Sequence, residues 1–241
     1  TTGVGAATAL SPYADFGSAV NALSSSLAGE EATGVVSEQD GVLTFTGNGK
    51  SGDLQVFSVA EAQLQSAKWD VSFVNVGDAT TPILVNVVGT DTAYQGVDTL
   101  GDGDNLSAPG GAGFGNWASR ILWNYPDATT LDIGGSTQFM GSILAPSAGA
   151  TITPSTNGRV YEGGDLTVNG AGEEQHAFPW IGHDTTACQS GSLSVRKALT
   201  GDAAFLVPSD TSFTVSYTVT GGPDEGEAGE LSVGDDGVPV G

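Results

Sequence analysis

Apolar residues recur at steps of three and four in residues 11–30: Tyr13, Phe16, Val20, Leu23 and Leu27. That spacing places them on one face of a helix. Ser11 suits its N-cap, Pro12 its first turn and Gly29 its end, whereas Ser24, Ser25 and Ser26 weaken it. From Gly41 onward the period changes to two. Residues 42–46, 54–58 and 69–75 alternate, and residues 83–88 are apolar almost throughout, as in a strand covered on both faces. Residues 47–52 and 77–82 are turn clusters. Residues 99–115 are rich in glycine and low in side-chain volume, which predicts a long exposed loop.

A different rhythm runs through residues 129–170. Short apolar pairs (Leu131/Ile133, Ile143/Leu144, Ala150/Ile152, Leu166/Val168) alternate with turns at Gly134-Gly135, Asn157-Gly158 and Gly163-Gly164. Short strands each closed by a turn are what successive faces of a β-solenoid require, with an irregular sandwich as the alternative. Beyond a boundary at residues 183–190, residues 192–195, 211–220 and 231–233 alternate as antiparallel strands. The expected fold is mainly β. A β-solenoid or β-helix-like body with one N-terminal α-helix occupies residues 1–187, and a partial immunoglobulin-like β-sandwich occupies 188–241.

Charge narrows the function. Lys and Arg total 6 against 28 Asp and Glu, a formal net charge of −22. Nucleic-acid backbones and anionic membrane surfaces both select basic partners, so neither is expected. No apolar run reaches the length of a membrane span. The chain starts at Thr1, and Met140 is its only methionine, which suggests a processed piece. Cys188 is the only cysteine and has no partner for a disulfide within the chain.

Few residues look chemical. Asp98, Asp102, Asp104 and Asn105 form the densest oxygen cluster, and calcium is the cation such oxygens suit. A hydrated acidic loop is the plainer account, as it is for Asp224, Glu225, Glu227 and Glu230. Glu174, His176 and His183 offer three zinc ligands, but Pro179 breaks any helix through them, and a closing segment with Trp180 packed down is preferred. Asp132 and Glu162 are the carboxylates a carbohydrate-active β-helix would use. No nucleophile elbow, phosphate loop or dinucleotide fingerprint occurs, so no catalysis and no cofactor are expected. Threonines at 129–130, 151, 153 and 167 raise an ordered surface such as ice as a ligand, although packing alone favours Thr in strands.

The run Trp123-Asn124-Tyr125-Pro126-Asp127-Ala128-Thr129, then Gly141-Ser142-Ile143-Leu144-Ala145-Pro146, Asn157-Gly158, Glu174, His176 and the aromatic stretch 178–182, resembles the choice-of-anchor A domain of bacterial surface proteins. The resemblance covers residues 13–182. It implies an adhesive domain on fibrillar, wall-anchored or secreted proteins of Gram-positive cells, with no catalytic residues. The N-terminal coils with Gly-Gly-Asn turns usual in that family are missing, which implies a start inside the domain. Residues 191–197, Thr200-Gly201 and 211–215 resemble the opening of an immunoglobulin-like actinobacterial stalk. In the related collagen-adhesin fold a first-strand lysine can form an isopeptide bond; Lys197 matches it, and the acceptor asparagine is missing. The function implied is a cell-surface adhesin head that binds a host or neighbouring-cell protein or glycan non-covalently, with residues 99–115 as its contact loop. A passive module of a surface fibre is the alternative, and a carbohydrate-active enzyme the third.

Overall fold

A short strand with alternating side chains leaves apolar surface that it cannot bury alone. This chain covers that surface by pairing its strands in parallel. The computed structural model describes residues 14–107, 114–182, 213–218 and 228–233. Two units divide the chain, Thr1–His183 and Asp184–Gly241. The first opens with helix α1 (Phe16–Ala28) and a hairpin of β1 (Val35–Gln39) and β2 (Val42–Thr46). β3 (Gln55–Ala60) runs into helix α2 (Glu61–Ser66), followed by β4 (Asp70–Val74), β5 (Ile83–Val88), β6 (Asp91–Gly96), β7 (Asp98–Gly101) and β8 (Asp104–Asn105). Helix α3 (Phe114–Arg120) leads directly into β9 (Ile121–Asn124). Short strands then succeed one another: β10 (Thr130–Gly135), β11 (Phe139–Met140), β12 (Ser142–Ala145), β13 (Gly149–Ile152), β14 (Thr156–Asn157), β15 (Val160–Glu162), β16 (Leu166–Val168) and β17 (Gln175–His176).

These strands form four sheets, ordered β1-β2-β4-β7-β8, β3-β5-β9-β12-β15, β6-β10-β13-β16 and β11-β14-β17. The last three are parallel throughout. The first is parallel at its centre, with an antiparallel hairpin at each edge. Their register is regular: Leu131 lies beside Ala150 and Ala150 beside Leu166, while Trp123 lies beside Ile143 and Ile143 beside Val160. From β10 onward the chain visits the third, fourth and second sheets in turn and then repeats that circuit. The fold is thus mainly β with several parallel sheets, as the apolar pairs in residues 129–170 predict.

One core fills the space between the sheets. Phe45 and Phe73 stack with ring centroids 5.0 Å apart, Phe57 meets Phe45 edge-on at 5.4 Å, and Trp123 touches Phe45, Phe73, Tyr94 and Phe139. The Trp123 indole N–H donates to the Met140 carbonyl at 2.9 Å, so the buried ring has a partner for its one polar atom. Burying a Phe- or Val-sized side chain contributes about 1.5–3 kcal/mol.

Helix α1 is shorter than the sequence pattern suggests and faces differently. It starts after Asp15; Tyr13, Ser11 and Pro12 lie outside the described residues. Of its predicted apolar face only Leu27 is buried, Val20 is half-buried, and Phe16 and Leu23 are 53 % and 38 % exposed. The serine run, a weakness in helix propensity, supplies the attachment. Buried Ser24 donates its hydroxyl to Asn124 Oδ1 at 2.6 Å, and Asn124 Nδ2 donates to the Ser24 carbonyl and to Asn86 Oδ1. Asn86 Nδ2 in turn donates to the Leu27 carbonyl at 2.9 Å. Apolar packing of Leu27 on Val56, Leu84, Leu122 and Leu144 surrounds this polar clasp. Hence β5 is covered on both faces, by the core on one and by α1 on the other. The sequence pattern also misses α2 and α3, which are too short to display a helical period.

Of the loop expected over residues 99–115, residues 108–113 lie outside the described residues, and residues 99–107 are not a long exposed loop. Thr99, Gly101, Leu106 and Ser107 are buried, and within residues 99–107 the exposed ones are Asp102, Gly103, Asp104 and Asn105 at a hairpin tip. Asp102 and Gly103 both have positive φ, +49° and +93°, as a two-residue hairpin turn demands. In the second unit β18 (Phe213–Thr218) and β19 (Ala228–Val233) pair antiparallel.

Two consequences are measurable. Asn124→Ala strips Ser24 and Asn86 of their buried partner and is expected to cost about 2–3 kcal/mol in denaturant unfolding. Asp78 accepts from the Thr80 hydroxyl and N–H, which holds its carboxyl down at about 2 from the usual 3.8. A depressed carboxylate stabilises the fold above its unfolded value, and that stability is lost as pH falls through the folded value. Asp78→Asn should therefore flatten the loss of stability between pH 4 and pH 2, measured by thermal melts across that range.

Candidate functional site

Because α1 does not bury its whole apolar face, an open groove remains between the helix and the second sheet. Its walls are Phe16, Ala19, Val20 and Leu23 from α1, Leu122 and Leu144 from β9 and β12, and Tyr161 from β15. The returning segment 178–181 closes one side. Trp180 donates its indole N–H to the Arg120 carbonyl at 2.9 Å, and the Ile181 N–H donates to the Ser119 carbonyl at 2.8 Å, pinning the segment to α3. The cavity measures 310 Å³; a second, of 290 Å³, shares Phe16, Val20 and Tyr161 with it and is also lined by Pro146, Val160 and Glu162.

Two charged groups mark this region. Arg159 lines the larger cavity, is exposed, and reaches only the Tyr161 hydroxyl, at 3.5 Å; among the described residues no carboxylate pairs with it. Glu162 is half-buried with Oε2 enclosed and unpartnered, and burial pushes its carboxyl up. Arg120 differs from Arg159 in every respect. It is 2 % exposed, donates to the Thr81 and Val76 carbonyls at 2.8 and 2.7 Å, and lies 4.3 Å over the Trp117 ring. Burial lowers its pKa, opposed by Asp102 and Asp78. Arg120 is therefore a brace that ties α3 to the first turns of the body.

The histidine segment forms a side-chain relay. His176 Nδ1 is 2.7 Å from Asn157 Oδ1, and Nε2 is 2.9 Å from Glu174 Oε2. Asn157 is fully buried and spends its amide on Gln138 Oε1 and the Phe139 carbonyl. Glu173 accepts from the Ser155 hydroxyl and N–H. Glu174 and His176 thus meet, as a zinc site would need, but their contacts fasten β17 to β14. His183 lies outside the described residues, and no group of three or more His, Cys, Asp or Glu shares a point among those described.

The four oxygen ligands considered for calcium are partly separated. Asp98 Oδ2 accepts from Asn105 Nδ2 at 2.8 Å, and Asn105 Oδ1 accepts the Ser107 N–H. Asp102 turns away to accept the Asn75 N–H at 3.2 Å, and Asp104 pairs with Gly101 in the hairpin. Asp132 sits exposed on the third sheet between Ala93 and Thr151, while Glu162 belongs to the second sheet. Lys197 and Cys188 lie outside the described residues.

Sequence reasoning missed the groove because a helical period says which side chains share a face and not how much of that face is covered. It also missed the asparagine clasp. The signal was present: Asn86 interrupts an otherwise apolar run, and Asn124 ends another, Ile121-Leu122-Trp123.

Residues 2–177 match the family described as "Putative Ice-binding-like adhesive domain". The match spans most of the chain and falls within the first unit. The chain belongs to that family, and its first unit is an adhesive surface domain. No curated protein and no solved structure matches. No helix among the described residues is long and apolar enough to cross a membrane. Several of the motif residues behind the resemblance to a surface-protein domain serve the fold. Trp123 centres the core, Asn124 holds α1, and Asn157 anchors His176. Gly158 packs so closely on Gly141 that a Cβ would fall 2.2 Å from the Gly141 carbonyl oxygen.

His176→Ala removes both ring contacts from a half-exposed site and should lower unfolding stability by about 1 kcal/mol in urea titrations, with the core aromatics unaffected.

Proposed function

We propose that this chain is the adhesive head of a bacterial cell-surface protein, binding a protein or glycan on a host or neighbouring cell without covalent chemistry. The family match across residues 2–177 is the observation that carries this reading. The repeating circuit of β10 to β17 supports stacking as a β-solenoid, a rigid platform on which turns and grooves are held in place. The antiparallel β18–β19 pair suits the opening of an immunoglobulin-like stalk. The order of the Trp123–Thr129, Gly141–Pro146 and Asn157-Gly158 segments favours choice-of-anchor A as the particular relation. A net charge of −22 favours a basic protein patch as the receptor.

The name of the family raises ice as a ligand, and the third sheet argues against it. A flat rank of threonines is what an ordered ice plane would require. On this sheet the exposed column runs Ala93, Asp132, Thr151, Thr167, and its neighbour runs Asp91, Thr130, Gly149. Carboxylates interrupt both columns, and the Thr130 hydroxyl is tied to Asp91. We therefore read the name as a likeness of fold.

Beads carrying the 241-residue chain, offered to a panel of cells, matrix proteins and glycans, test the reading. Saturable capture competed by free chain is expected, together with no inhibition of ice recrystallisation. Binding to nothing on the panel would favour a passive fibre module, and inhibition of recrystallisation would overturn the argument from the third sheet.

A further inference from the structure

We propose that the groove beside α1 is a binding site for an alkyl carboxylate, its chain lying along Val20, Leu23, Leu122 and Leu144 and its head group on the Arg159 guanidinium. The inference rests on the groove alone and stands whether or not the domain attaches to cells.

Charge and polarity together select this ligand. Six cations serve the whole chain, and among the described residues Lys50, Lys68, Arg120 and Arg159 are the only ones. Arg120 is consumed inside the fold by two carbonyls and the Trp117 ring. Arg159 instead stands at an apolar cavity with no carboxylate partner among the described residues, in a protein rich enough in carboxylates to have supplied one. A guanidinium presents paired donors that match a carboxylate. Behind it the walls are aliphatic and aromatic, with Trp180 already bonded through its indole N–H and unable to serve a ligand.

That lining decides between ligand classes. A sugar brings hydroxyls on every face, and a peptide brings an amide at each residue. Burying either against Val20, Leu23 and Leu144 would leave polar groups without partners, which disfavours both. An alkyl carboxylate has one polar end and a plain apolar body, which is the division of labour the groove offers. The 310 Å³ cavity beside Arg159 gives room for the chain, and Glu162 lines the neighbouring cavity, not this one. That volume lies at the lower end of the range of ordinary small-molecule sites.

Calorimetric titration of the full chain with sodium dodecanoate, kept below its micelle-forming concentration, tests the proposal. Saturable one-to-one binding is expected. Arg159→Gln, at an exposed position, should keep the melting temperature and weaken binding about tenfold, the worth of one partly desolvated charge-assisted contact. Leu23→Trp should fill the groove and abolish binding, while dodecanol should bind the unaltered chain about as weakly as dodecanoate binds R159Q. Absence of saturable binding would overturn the proposal, as would equal affinity of R159Q and the unaltered chain. Tighter binding of a leucine-terminated peptide or of an acidic sugar would overturn the ligand class. Failure here leaves cell capture by the beads untouched, and failure of cell capture leaves this titration untouched.

Discussion

Trp123 and Asn124 are neighbours in β9, and because a strand alternates its faces they work on opposite sides of the second sheet. Trp123 enters the core, where it touches Phe45, Phe73, Tyr94 and Phe139 and so gathers side chains from all four sheets. Asn124 meets the helix, where it bonds Ser24 and Asn86. Parallel pairing of β9 with β5 and β12 spreads both contacts along the sheet. A shift of one residue would send the indole toward the helix and the amide into hydrocarbon, and both moves are costly. The register of the body is fixed by that alternation.

The same alternation gives the scaffold surfaces of unlike character. The exposed face of the third sheet carries acidic and small residues. The second sheet is covered by a helix that fits it at Ser24 and Leu27 and lifts away at Phe16 and Leu23. A groove persists there because the polar clasp sits toward the C-terminal half of α1, leaving the first turns without an equivalent anchor. The segment after β17 then returns across the opening, held by Trp180 and Ile181 to the end of α3. Helix, sheet and returning segment thus enclose a space of small-molecule size, in which a few side chains can define a ligand.

Much of the strand content was legible because apolar pattern reflects burial: period-two alternation at residues 42–46 matches alternating burial, and the nearly continuous apolar run of 83–88 matches a strand buried on both faces. The apolar pairs of residues 129–170 announce short strands closed by turns, and the structure pairs them in parallel. Asp-Gly turns at 40–41 and 102–103, each with two positive φ angles, carry a hairpin signal, but the glycine content of residues 99–115 hides the second. Glycine count measures lack of side-chain volume and cannot tell a loop tip from a packed hairpin. Long-range polar partners were out of reach: nothing local couples Ser24 to Asn124, or Asn157 to His176. Nothing in the sequence tells whether Arg159 is paired; that no carboxylate among the described residues meets it is a fact of three dimensions.

Strands β5, β9 and β12 form one cooperative core, and the closing segment only covers it. Native-state hydrogen exchange followed by NMR tests this most directly, residue by residue. Amides of Val85, Trp123 and Ile143 should exchange only through global unfolding, with one shared free energy, and those at residues 178–182 through cheaper local opening. Exchange of Trp123 as fast as that of Ile181, or independent of Val85, would contradict the account.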